Sequence, residues 1–133
     1  MNEAWCHDAL IAALRVGRPV TWRALGHSME PTIPAGSFVR VAPCDVKALR
    51  RGEIAACLRP DGGLMLHRVI SFDDEGRVRT WGDALPAPDA IASNVVGKVV
   101  SLGERPPRSW WFRAKGWARV ARHLVRGQYI GRR

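Results

Sequence analysis

The sequence predicts a mainly β domain, mostly antiparallel, with a short helix before the strands and an amphipathic helix after them. Three observations lead there. Five short segments rich in apolar and β-branched residues, 37–43, 53–60, 64–72, 77–83 and 94–102, are each bounded by Gly, Pro or Asp clusters. Between two of them "FDDEGRV" reads as a hairpin turn, with Gly76 able to take a positive φ. A chain of 133 residues, 47% of them hydrophobic, is long enough to bury one core without disulfide staples.

Along the chain, residues 3–16 carry Ala4, Leu10, Ile11, Ala13 and Leu14 at helical spacing, and Gly17 with Pro19 ends the pattern. From "VTWRALG" onward the pattern becomes that of short strands. "GERPPRS" at 103–109 then breaks it, because consecutive prolines cannot continue a central strand. Two units follow: a β domain with its helix at 1–104 and a basic tail at 105–133. In the tail, Ser109 is a helix N-cap and the helix runs to about Arg126, before Gly127. One face gathers Trp110, Ala114, Trp117, Ala118, Ala121, Leu124 and Val125, and the other gathers Lys115, Arg119, Arg122 and Arg126. Phe112 and Arg113 blur the division.

Charge divides along the same boundary. The formal net charge is +9, and residues 105–133 hold nine Lys and Arg with no acid, while the first 104 residues hold twelve basic and twelve acidic side chains. The basic character therefore belongs to the tail. Its apolar face either packs on the β domain or lies in the headgroup region of an anionic membrane, with Trp110, Trp117, Lys115, Arg119, Arg122 and Arg126 as the membrane contacts. Nucleic acid ranks third as a partner, since no recognised motif accompanies the basic stripe. The apolar run "ALIAAL" is too short to span a bilayer, and Glu3 and Asp8 stand where a signal peptide would be basic. Cys6, Cys44 and Cys57 are odd in number and fit no metal spacing, so they read as small buried hydrophobes in a reduced cytoplasmic setting.

"GHSMEPTIPAG", residues 26–36, raises the question of chemistry. Ser28 there is either the start of a turn or a nucleophile, and a serine hydroxyl is a weak nucleophile until a base takes its proton. His27 is adjacent, and neighbouring side chains in an extended chain point apart. His7 and His123 fall in the terminal helices. His67, inside the apolar strand "LMLHRVI", is the candidate base, its alternative being a core histidine. Such a base works best with a carboxylate that holds its tautomer, and "TWGDALPAPDA" offers Asp83 and Asp89 with nothing to choose between them. Lys47, Lys98 and Lys115 are the lysine alternatives.

"SMEPTI", "RRGEIAAC", "LHRVI" and "WGDALPAPDA", in that order across residues 20–102, resemble the boxes of type I signal peptidases, the S24/S26-type serine peptidases, in the branch with a histidine base. The resemblance implies the coiled, partly open barrel-like sheet shared with LexA-type repressors. It further implies Ser28 as nucleophile, His67 as base, Asp83 or Asp89 as orienting acid, and Met29 and Pro31 beside the substrate groove. No cofactor or metal is called for. Relatives usually carry a membrane anchor, which this sequence lacks, and Gly26 stands where leader peptidases often place a hydroxyl, so the oxyanion depends on backbone donors such as the Ser28 N–H. The expected activity is cleavage of an extended leader or precursor peptide after small residues, in the cytoplasm or peripherally on the inner membrane face. The alternative is a catalytically idle module on the same fold that binds peptide, membrane or nucleic acid.

Overall fold

A computed structural model describes residues 3–90 and 94–103. Helix α1 (Glu3–Arg15) is followed by β1 (Val20–Ala24), β2 (Ser37–Pro43), a 3₁₀ turn (Val46–Ala48), β3 (Ile54–Leu58), β4 (Leu64–Phe72), β5 (Val78–Trp81) and β6 (Val95–Leu102). The strands form one sheet in the order β1-β2-β6-β3-β4-β5, and every neighbouring pair is antiparallel. The sheet is open, with β1 and β5 at its edges. Register shifts in β2/β6, β3/β6 and β4/β5 mark bulges or irregularities, the kind of step that bends a strand and raises its twist.

Strand β3 shows why the sheet has a core on each side. Alternate residues point to opposite faces, and its first four are all buried. Ile54 and Ala56 join Leu64, Leu66, Val39 and Val41 beneath α1, which contributes Ile11 and Leu14. Ala55 and Cys57 join Val69, Val78 and Leu49 on the opposite side. A strand dry on both faces belongs in the middle of a sheet, and β3 lies between β6 and β4.

Strands 37–43 and 64–72 have the bounds read from the sequence. β3 stops at Leu58 because Arg59–Gly63 closes a hairpin, with the Arg59 N–H donating to Gly63 O at 2.7 Å. β5 stops at Trp81 because Gly82 and Asp83 turn toward the loop that carries Ser28. The hairpin at 72–78 forms as read: Gly76 has φ 78°, and Asp73 Oδ1 accepts from the N–H groups of Glu75 and Arg77 at 2.9 and 2.8 Å. The tail helix and its contacts Trp110, Lys115, Trp117, Arg119, Arg122 and Arg126 lie outside the described residues, as do His123 and the side chain of Cys6.

Candidate active site

Ser28 sits in the loop joining β1 to β2, which is pinned at several points. The Gly36 N–H donates to Ala24 O at 2.6 Å, closing the loop at its base. The Ile33 N–H donates to Met29 O, and the Glu30–Pro31 peptide is cis. Ser28's own carbonyl accepts from the Ala84 N–H at 2.9 Å, tying the serine backbone to the β5–β6 loop. Gly82 permits that approach, since a Cβ there would stand 2.8 Å from Ser28 O.

Facing the serine, His67 projects from β4 and is 6% exposed. Its Nε2 is 3.1 Å from Ser28 Oγ, and its Nδ1 is 2.5 Å from Asp89 Oδ2. A carboxylate only accepts, so Nδ1 carries the hydrogen, and in the neutral ring the Nε2 lone pair faces the serine hydroxyl. Asp89 is itself held: its Oδ2 accepts from Thr80 Oγ1 at 2.7 Å and its N–H donates to Thr80 O. Two loops and two strands thus converge in the order Ser28, His67, Asp89, Thr80.

The two aspartates that were equivalent in the sequence are separated by the structure. Asp83 does not reach the imidazole. Its carboxylate takes a two-pronged bond from Arg68, Nε at 2.9 Å and Nη2 at 2.7 Å, together with the Thr32 hydroxyl at 2.6 Å. Arg68 also donates to Gly52 O, and its bond to Asp83 raises the guanidinium above its ordinary pKa. Asp83 therefore clamps the Ser28 loop to β4, one residue beyond His67. Thr32, Arg68 and Thr80 were missed as site residues. Thr80 had a signal in "RVRTWGD", where strand alternation puts it on the face of buried Val78.

Other candidates are placed elsewhere. His27 is exposed and bonds to Glu30 at 2.6 Å. His7 accepts from the Leu64 N–H through Nδ1 at 3.0 Å. Lys98 pairs with Glu53 at 3.0 Å, Lys47 is exposed, and Lys115 lies outside the described residues. A cavity of about 120 Å³ opens beside Ser28, lined by Trp22, Leu25, Met29, Leu66, His7 and Arg59 among others. Met29 borders it from the core, whereas Pro31, also expected along the groove, is exposed and outside it. Cys57 is buried on the opposite side of the sheet from α1, where burial pushes its thiol up to about 12, and Cys44 is half-buried with its thiol also raised by burial. Among the described residues no group of His, Cys, Asp and Glu is arranged to hold a metal ion, and no helix is long and apolar enough to cross a membrane.

No family model matches the chain, and no curated protein is significantly similar to it.

Proposed function

We propose that the protein is a serine endopeptidase of the signal-peptidase-like kind, using Ser28, His67 and Asp89. The observation that carries this reading is the His67 ring held between the Ser28 hydroxyl and the Asp89 carboxylate. His67 Nε2 takes the hydroxyl proton as Ser28 Oγ attacks a peptide carbonyl, and Asp89 stabilises the imidazolium and holds its tautomer. The same nitrogen then gives the proton to the leaving amine, and water later releases the acyl group from Ser28. Because Gly26 offers no hydroxyl, backbone donors, the Ser28 N–H first, meet the oxyanion. The open antiparallel sheet, its register shifts and a nucleophile loop directly after the first strand support the LexA and signal-peptidase type of fold. The substrate is an extended leader or precursor peptide, and the basic tail brings the enzyme to the inner face of an anionic membrane.

Ser28→Ala should abolish cleavage of a peptide with Ala before the cut bond, read by mass spectrometry, and leave the unfolding midpoint nearly unchanged. Equal turnover by wild type and variant removes Ser28 as nucleophile. Gly26 favours the second reading, an idle peptide-binding module, and wild-type protein that binds such peptides without cutting them would select it.

A further inference from the structure

The cavity beside Ser28 is lined by two chemically different sets of side chains. Trp22, Ala24, Met29 and Leu66 give it apolar walls, and His7 and Arg59 add a polar lining. His7 comes from α1 and is 3% exposed, set edge-on to Trp22 with ring centroids 5.4 Å apart. By accepting from the Leu64 N–H it holds the first residue of β4 against the helix, and a ring that accepts through Nδ1 is neutral. The charge in this lining is therefore that of Arg59.

Arg59 opens the β3–β4 hairpin, and its guanidinium lies across Gly63. A Cβ at Gly63 would stand 2.4 Å from Arg59 Nη2, so the bare glycine is what lets the side chain lie there. The nearby Asp61 comes to 3.4 Å from Nε, and its carboxylate is 69% exposed and already accepts from the Gly63 N–H at 2.8 Å. An ion pair in that much water contributes little, so the five-donor guanidinium keeps the capacity to engage a second carboxylate.

Spacing along β4 converts this into a position on a substrate. Leu64, next after the Gly63 that Arg59 lies across, and His67, at the serine, are three residues apart, about 10 Å at the rise of a strand. An extended peptide has the same rise. Taking Ser28 as the group that cuts a peptide, as proposed above, we infer that Arg59 is a specificity residue: the preferred substrate carries Asp or Glu about three residues from the bond that is cut.

The test scans Glu, Gln and Lys through each position of a peptide with Ala at the cut bond, measuring kcat/KM for wild type and peptide binding by anisotropy for Ser28→Ala. At one position, three or four residues from the cut, Glu should exceed Gln by about threefold to fivefold, the range of a half-exposed ion pair, and Lys should fall below Gln. Arg59→Glu should exchange the preferences for Glu and Lys with its unfolding midpoint unchanged, and Arg59→Gln should level them. Indifference of the wild type to charge, binding of no peptide, or a Glu preference that survives Arg59→Glu overturns the inference. Glu-selective binding with no cleavage by wild type would instead retire the peptidase reading and leave carboxylate recognition by Arg59 standing.

Discussion

Asp89→Asn keeps the shape of the side chain and changes what it offers the His67 ring. An amide that turns its NH₂ toward Nδ1 forces the hydrogen onto Nε2, and Nε2 can then no longer accept from Ser28 Oγ. The expected loss is about 10⁴ in kcat, measured on a cleaved peptide, with a small change in unfolding midpoint. Asp83→Ala should do the opposite. Its carboxylate is 8% exposed and paired with a half-buried Arg68 that keeps its bond to Gly52 O, so removal leaves the guanidinium without its anion and costs about 1 to 2 kcal/mol in a urea titration. Gly82→Ala is the third case at this scale: the new methyl would stand 2.8 Å from Ser28 O and from Leu85 Cδ1. Because Ser28 O also holds the Ala84 N–H, the shift falls on the serine, and kcat should drop by more than the stability change accounts for. What the residues disclosed before folding follows the same division. The pairing of Ser28 with His67 was legible because a hydroxyl and an imidazole are chemically distinctive residue types, and the structure brings them to 3.1 Å. Choosing Asp89 over Asp83 was beyond the sequence, since both stand in one loop and only the partners decide: Thr80 and His67 for one, Arg68 and Thr32 for the other.

At the scale of elements, the strands buried on at least one face were legible and the ends that depend on hydrogen bonds were not. β2 and β4 have long apolar or alternating runs, and their bounds follow from them. β1 was not delimited, because an edge strand of five residues with Thr21 and Arg23 in it carries little apolar signal. The 3₁₀ turn at Val46–Ala48 depends on Asp45 accepting the Lys47 N–H, a local bond with no periodicity to announce it. Neighbouring elements are also tied by charge. Glu53, just before β3, bonds to Lys98 in β6, and that bond holds its carboxyl below the usual range. A carboxyl with a depressed folded pKa adds stability above its unfolded pKa, and that contribution is lost as pH falls through the lower folded value. Glu53→Gln should therefore lower stability by about 0.5 kcal/mol at pH 7, and its difference from wild type should vanish as urea titrations are repeated toward pH 3.

Across the whole molecule the charge is polarised, and the polarity has a physical consequence. With twelve acids against twelve bases in the first 104 residues, the β domain has no net attraction for an anionic surface, whereas the nine basic groups of residues 105–133 are unopposed. Tryptophan suits the boundary between headgroups and acyl chains, and Trp110 and Trp117 alternate with Lys115, Arg119 and Arg122 at helical spacing. Each basic side chain near an anionic bilayer contributes about 1 kcal/mol, a term that salt screens within a Debye length. Full-length protein should therefore sediment with vesicles containing anionic lipid at low salt and be released as salt rises. Replacing Lys115, Arg119, Arg122 and Arg126 together by Gln should reduce that binding steeply and leave cleavage of a free peptide in solution unchanged. The competing arrangement, in which the apolar face of the tail packs on the β domain, predicts that the quadruple variant and wild type ignore the vesicles alike, and that Trp117→Ala lowers the unfolding midpoint. Absence of the full-length protein from anionic vesicles at low salt would decide for that arrangement and against a membrane-docked enzyme.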